Sequence, residues 1–337
     1  MINNERVLIT GGTGSFGKKF TDVLFKKYKP KKVIILSRDE YKQYQMAKSF
    51  PPTKYPIRYF LGDIRDKNRL YRAFEEADYV IHAAALKQVP ALEYNPGEAV
   101  KTNIEGAANI VDAAIDVGVK KVIALSTDKA VNPINLYGAT KLVAEKIFIA
   151  ANAYAGARVK FSVVRYGNVI GSRGSVIPFF LNLKKQGIKE FPLTDERMTR
   201  FWITLEQGID LVLKALGDSM GGEIFIPRIP SMRIVDLAKA IDPLCEFKTV
   251  GIRAGEKIHE TLVSEDEARK AKIFNDAYII LPQFFETKAV NEKYEKYSSV
   301  PEGFVYRSDN NDQWISVDQL RRIVKDYECD SLCASMA

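Results

Sequence analysis

The stretch RVLITGGTGSFGKKF (6–20) decides the fold class. Five residues rich in aliphatic and β-branched side chains run into Gly11, Gly14 and Gly17, and an amphipathic segment follows. Glycine lacks the Cβ that would keep backbone N–H groups away from a pyrophosphate, and a helix that starts there offers its positive amino end to the same anion. A strand before and a helix after separate a dinucleotide-binding turn from a glycine-rich turn that binds nothing. The candidate contacts in this turn are Gly11, Thr13, Gly14, Ser15, Phe16 and Gly17.

The pattern repeats outward from there. Strands are expected at 6–10, 32–37, 57–62, 79–83, 121–126 and 161–167, with helices over Phe16–Tyr28, Asn68–Glu76, Ala99–Val117 and Leu136–Ala155. Parallel strands need crossover connections, so this alternation predicts a Rossmann-type α/β domain over residues 1–170, a doubly wound parallel sheet with helices on both faces. Beyond it, Pro178, Pro192, Pro227, Pro230 and Pro243 punctuate shorter elements. These predict a smaller C-terminal α/β substrate lobe over 171–285, with room for segments that return to the first domain, and an extension over 286–337.

The end of the second strand reads the cofactor. An acidic residue there would hydrogen-bond the ribose hydroxyls of NAD. Here Ser37 and Arg38 stand in that place, with Lys42 one turn on, and a guanidinium pairs well with a 2′-phosphate. NADP is therefore the expected cofactor, against the alternative that Asp39 turns toward the ribose. Asp63 after the third strand can accept from the adenine amino group, and Ala83, Ala84 and Ala85 are small enough to let the cofactor pass. Ile64 and Asn103 complete the candidate set, while His82 is read as a packing residue.

Composition sets the outer limits. With 337 residues, 46% hydrophobic and 27% charged, the chain has ample apolar side chains for a folded core. No apolar run approaches the length of a membrane helix and no signal core follows the amino end, so a cytoplasmic protein without a membrane partner is expected. Cys245, Cys329 and Cys333 are too few for a disulfide framework, and no metal site is expected from them. The net charge of +8 is spread among acidic residues without a basic and aromatic platform, which argues against nucleic acid and leaves room for an anionic nucleotide.

The stretch STDKAVNPINLYGATK (126–141) carries the chemistry. Tyr137 and Lys141 stand at i and i+4, on one face of a helix. An ammonium beside a phenol favours the phenolate, so the pair is expected to remove an alcohol proton. Asp128 and Lys129 exceed what a simple dehydrogenase needs. They follow the fifth strand at its carboxyl end, where open α/β sheets bind ligands. A protonated carboxyl can supply a proton to a departing hydroxyl, and a desolvated lysine can take one alpha to a carbonyl.

The motifs TGGTGSFG, STDKAVNP, YGATK, RYGNVIGSRGSVIPFF, MTRFW and GIRAGEKIHE together resemble the extended short-chain dehydrogenase/reductase superfamily, over roughly residues 3–285. Within it they are similar to the inverting UDP-N-acetylglucosamine 4,6-dehydratases that open the pseudaminic acid pathway toward flagellin or surface glycans. The resemblance implies that Tyr137 deprotonates the 4-hydroxyl with Lys141 holding it, that Lys129 takes the proton at carbon 5, and that Asp128 protonates the leaving 6-hydroxyl. It further implies a product of the L-arabino series, inverted at carbon 5. Relatives acting on dTDP-glucose or GDP-mannose typically show Asp–Glu in place of Asp128–Lys129, and retaining relatives commonly carry methionine in place of Tyr137 together with a membrane-spanning amino-terminal part.

For the substrate, Asn168 can reach sugar hydroxyls or the pyrophosphate, Arg200 and Arg253 suit a diphosphate, and Glu256 suits a ribose. Lys87 and Thr127 are further candidates near the sugar. A homo-oligomer, dimer or hexamer, is implied by the resemblance, with Arg173 a candidate contact. Two alternatives stay open: a UDP-sugar 4- or 5-epimerase on the same fold, and a non-catalytic NADP-sensing binding protein.

Overall fold

The computed structural model describes residues 2–171, 176–285 and 288–336. Arg173 lies outside the described residues, as does the side chain of Cys333. The first part of the chain runs β1 (Arg6–Thr10), α1 (Ser15–Lys27), β2 (Lys32–Ser37), α2 (Glu40–Ser49), β3 (Ile57–Leu61), α3 (Lys67–Phe74), β4 (Tyr79–His82), α4 (Val89–Tyr94), α5 (Pro96–Ala99), α6 (Gly106–Val117), β5 (Lys121–Thr127), α7 (Leu136–Tyr154) and β6 (Lys160–Tyr166). The six strands lie parallel in the order β3-β2-β1-β4-β5-β6, so the chain reverses direction across the sheet between β1 and β4. Such a reversal opens a crevice at the carboxyl edge of the strands. Val7, Leu8, Ile9, Val33, Ile35, Val80, Ile81, Val122 and Ile123 are buried in the sheet core. That is the expected consequence of covering both faces with helices.

The expected helix Ala99–Val117 is instead interrupted. A π-helical turn spans Val100–Glu105 between α5 and α6. A Cβ on Gly106, the first residue of α6, would lie 2.7 Å from Ile64 Cδ1, so the glycine lets α6 approach the loop after β3 closely. The extra residue in the turn is a three-dimensional adjustment that periodicity does not encode.

The rest of the chain divides between two cores. The elements are β7 (Asn168–Val169), α8 (Val176–Lys185), β8 (Glu190–Leu193), β9 (Thr199–Ile203), α9 (Leu205–Asp218), β10 (Ile224–Pro227), β11 (Ser231–Arg233), α10 (Ile234–Ile241), β12 (Glu246–Thr249), β13 (Thr261–Val263), α11 (Glu265–Ala268), β14 (Ala271–Phe274), β15 (Ala277–Ile280), α12 (Lys288–Tyr294), β16 (Tyr306–Arg307) and α13 (Val317–Met336). Strand β10 adds in parallel to β6, and the antiparallel pair β15 and β14 completes a nine-stranded sheet. The lobe has its own core of Ile177, Phe180, Phe191, Trp202, Met232 and Leu237, and α13 inserts Leu320 and Val324 into it. Residues 288–336 are thus shared, since Val290 and Tyr294 of α12 belong to the core of the large sheet.

One buried ionic group ties these parts together. The Arg165 guanidinium on β6 pairs with Glu145 of α7 at 2.6 Å and Glu267 of α11 at 2.8 Å, and donates to the Leu262 carbonyl at 3.0 Å. Both carboxylates and the carbonyl satisfy a charge that has no access to water, which fixes α7 against the sheet.

Candidate active site

The glycine turn after β1 has the shape the sequence requires. Gly11 has φ +65°, and a Cβ there would stand 2.9 Å from the backbone of Ala84. Gly17 lies so close to Gly12 that a Cβ would fall 2.3 Å from its carbonyl oxygen. The turn is therefore pressed against the end of β4 and the first turn of α1. Gly14 caps α1 without a side-chain bond and no acid lies in its first turn, so the uncapped N–H groups are free for phosphate. Thr13 Oγ1 and Ser37 Oγ lie 2.8 Å apart, linking this turn to the end of β2. Ser15 and Phe16 open α1, and Phe16 stacks on Phe20 with ring centroids 5.4 Å apart.

At the end of β2 the Arg38 guanidinium is half exposed and touches Asp63 only at 3.5 Å. Asp39 is committed elsewhere: its carboxylate caps α2 on the Lys42 N–H and pairs with Lys42 Nζ at 2.6 Å. Asp63 accepts Arg65 Nη2 at 2.7 Å and the Arg65 backbone N–H at 3.0 Å. Burial would push its carboxyl up, but these bonds outweigh it and hold the group below its usual range. Ile64 is buried against Gly106. The Ala83 and Ala84 N–H groups both lie 3.2 Å from Thr10 Oγ1, and Ala85 follows on the exposed loop. Asn103 is wholly engaged: its amide bonds Leu86 N–H and carbonyl at 2.9 Å each and Thr140 Oγ1 at 3.0 Å. It shapes the loop after β4 through these bonds. His82 lies in the core with Nδ1 2.8 Å from Thr10 Oγ1, and burial pushes its pKa down to about 3.

The reactive stretch folds back on itself at the end of β5. Residues Asp128–Ala130 form one 3₁₀ turn, and Asn135 caps α7 by accepting the Gly138 N–H at 2.8 Å. The same Asn135 side chain donates to the Gly255 carbonyl at 2.7 Å, so the lobe's loop 251–260 is latched to the start of α7. Lys257 Nζ adds a bond to the Val131 carbonyl at 2.6 Å.

Asp128 is fully buried. Its Oδ1 accepts the Thr127 hydroxyl at 2.8 Å and Lys129 Nζ at 3.1 Å, while Oδ2 has no partner among the described residues. Burial pushes this carboxyl up, against the pull of Lys129. Lys129 Nζ also lies 3.1 Å from Glu260 Oε1, and Glu260 Oε2 is likewise buried without a partner among the described residues. Burial disfavours the ammonium, but Asp128 and Glu260 outweigh it and hold Lys129 firmly protonated.

Two expectations are corrected here. Lys129 is not a neutral amine made basic by desolvation, because two carboxylates stabilise its charge more than burial opposes it. Nor does Lys141 lower the phenol of Tyr137. Lys141 Nζ donates to the Leu125 carbonyl at 2.6 Å, and burial brings its pKa down to about 8 against the opposing charge of Glu145. Burial pushes Tyr137 up to about 12, and the cation that works against this is Lys129, with a smaller contribution from the polar Thr127 hydroxyl. Spacing along the helix places tyrosine and lysine on one face, but which partner each side chain finds is set by the strand beneath.

A cavity of about 560 Å³ opens beside this cluster, lined by Asn168, Arg200, Trp202, Arg253 and Glu256. Asn168 Oδ1 is buried without a partner among the described residues. The exposed Arg253 guanidinium has no partner among them either, and Glu256 is held loosely by Thr194 Oγ1 at 3.4 Å. Arg200 differs: its Nη1 and Nη2 donate to the carbonyls of Thr199, Ile258 and Lys257 at 2.8–3.0 Å, so it braces the loop that carries Glu256 and Glu260. Lys87, on the loop after β4, does not line this cavity but lies in the field of Lys129, and burial first and that charge second lower its pKa. The residue that sequence reasoning missed is Glu260. Its only signal was membership of GIRAGEKIHE, far along the chain from the lysine it meets.

A family model described as polysaccharide biosynthesis protein matches residues 7–282. A UDP-N-acetylglucosamine 4,6-dehydratase (inverting) of Campylobacter jejuni is 54% identical over 97% of this chain and 99% of its own. A UDP-glucose 4-epimerase of Rickettsia massiliae is 44% identical over 83% of this chain and 84% of its own. The X-ray structure of Pen from Bacillus thuringiensis superimposes with a TM-score of 0.88 at 38% identity, covering 97% of this chain and 99% of that one.

Proposed function

The chain belongs to the polysaccharide biosynthesis protein family, and from that premise we propose that it is an inverting UDP-N-acetylglucosamine 4,6-dehydratase that uses NADP. The observation that carries the reading is the cluster of Asp128, Lys129 and Tyr137 at the carboxyl end of β5, in which a fully buried Asp128 pairs with Lys129 at 3.1 Å, while Arg200, 3.9 Å from Glu260, lines the cavity that Arg253 edges. The 54% identity to the Campylobacter jejuni dehydratase supports the same substrate.

The glycine turn and the uncapped start of α1 would hold the dinucleotide's pyrophosphate, and Arg38 would meet a 2′-phosphate. Commitment of Asp39 to capping α2 supports NADP over NAD, because no carboxylate is then offered to the ribose hydroxyls. When bound, the cofactor supplies reversible oxidation at carbon 4 and reduction at carbon 6.

The side chains supply the proton transfers. Tyr137 accepts the proton of the 4-hydroxyl. Lys129, relieved of one proton, takes the proton at carbon 5 that the 4-keto group has acidified. Asp128, whose carboxyl burial pushes up, is the acid that gives its proton to the departing 6-hydroxyl, and water leaves. Carbon 5 takes a proton from water on the other face, balanced by release to solvent of the proton that Tyr137 took from the 4-hydroxyl, and the L-arabino 4-keto-6-deoxy sugar that results fits an opening step toward pseudaminic acid. Mass spectrometry of UDP-N-acetylglucosamine incubated with the purified protein tests the reading: a product lighter by one water is expected, and an unchanged mass overturns it.

A second reading, 4-epimerisation, draws on the 44% identity to the Rickettsia massiliae enzyme. It would use Tyr137 and leave the ion pair of Asp128 and Lys129 without work. A galacto-configured product of unchanged mass would favour it.

A further inference from the structure

We propose that Glu260 is the positioning residue that sets the direction of Lys129 and takes up the proton Lys129 must shed before it can act as a base. The proposal rests on the dehydratase reading above and adds to it a third ionisable member.

The geometry is specific. Lys129 Nζ stands between Asp128 Oδ1 and Glu260 Oε1, 3.1 Å from each. Glu260 is 2% exposed, and its second oxygen has no partner among the described residues. The other charged or titratable groups around Lys129 are Tyr137 of α7, Arg200 of β9, Lys257 of the latched loop and Lys87 of the loop after β4. Arg200 Nε lies 3.9 Å from Glu260, with its Nη groups spent on backbone carbonyls. Glu260 is thus the second buried carboxylate on the Lys129 ammonium, and Asp128 must itself be protonated to act as the acid.

The proton count closes within the cluster. An N–H bond of the Lys129 ammonium breaks first and an O–H bond forms on Glu260, which frees a lone pair on the nitrogen. As the carbon 5–hydrogen bond then breaks, that lone pair forms a new N–H bond on Lys129. The electron pair left at carbon 5 is held by the 4-keto group, then expels the 6-hydroxyl as the Asp128 proton joins it to make water. The proton on Glu260 then passes through Lys129 to Asp128, which restores the starting state of all three groups.

The test compares Glu260→Gln and Glu260→Asp with wild type in two assays: turnover of UDP-N-acetylglucosamine, and exchange with water of a tritium label at carbon 5 of that substrate. Glutamine keeps an acceptor for Lys129 but cannot take a proton. Its kcat and exchange rate are expected to fall together by about 10²-fold with KM within about threefold, while the aspartate variant recovers to within about tenfold of wild type. Wild-type turnover and exchange in Glu260→Gln overturn the proposal, as does equal loss in both variants. Should Glu260→Gln fail to fold, Glu260→Ala decides: exchange about 10²-fold slower and restored by added formate supports the role, and wild-type exchange or a loss that formate does not restore overturns it. A wild type that neither turns over nor exchanges overturns the dehydratase reading instead.

Discussion

A Cβ on Gly138 would fall 2.1 Å from the carbonyl oxygen of Lys129. The first turn of α7 is thus seated directly on the turn that carries Asp128 and Lys129, and the glycine after Tyr137 is what permits it. Gly138→Ala is expected to push the two apart, destabilising the fold by about 1–3 kcal/mol and lowering kcat by about 10²-fold through misplacement alone. Thermal melting and steady-state kinetics on the purified variant check both.

Tyr137→Phe removes the proton acceptor and leaves the packing nearly unchanged. Its kcat is expected to fall by at least about 10²-fold with KM and melting temperature close to wild type. In the wild type the phenolate is the working form and burial pushes the phenol up to about 12. Turnover should therefore rise with pH from neutrality into the alkaline range, and a profile flat from neutral to alkaline pH would contradict this assignment.

Lys141 gives a prediction about stability. Its pKa in the fold is about 8, against 10.5 for an ordinary lysine, so between these values the unfolded chain binds more protons than the folded one. Stability then rises with pH across that window. Measured against Lys141→Met by denaturant titration, the wild type should gain stability from pH 8 to pH 10 and show no such gain below pH 7.

Arg165→Met leaves the buried Glu145 and the largely buried Glu267 without their shared cation. A loss of about 3–5 kcal/mol is expected. Replacement of all three residues by apolar ones of similar volume should be far milder, and urea unfolding of both variants separates the two outcomes.

Arg38→Ala addresses the cofactor. Loss of a charge-assisted pair with a 2′-phosphate should weaken NADP binding by about 10–100-fold and leave NAD binding within about threefold. Quenching of protein fluorescence on titration with each dinucleotide reads the ratio.

The first 170 residues were legible because parallel strands and crossover helices write a regular alternation into the chain, and the strands at 6–10 and 32–37 fall where expected. The grouping of Asp128, Lys129 and Tyr137 was legible for a related reason: a turn and a helix start keep neighbours in sequence close in space. Glu260 was not, because it reaches Lys129 only through the fold of the lobe loop over β5. The protonation of Lys129 and Tyr137 was misread for the same cause, since it depends on the balance of burial against charges brought from afar. The break between α5 and α6 depends on Ile64 meeting Gly106, a packing event without a local signature.

The most direct measurement is proton NMR of UDP-N-acetylglucosamine incubated with the purified protein in deuterium oxide, without added cofactor. A 4-keto-6-deoxy product that carries deuterium at carbon 5 in the inverted configuration is predicted. A product of retained configuration at carbon 5, or a sugar that keeps its 6-hydroxyl, would contradict the roles given to Asp128 and Lys129.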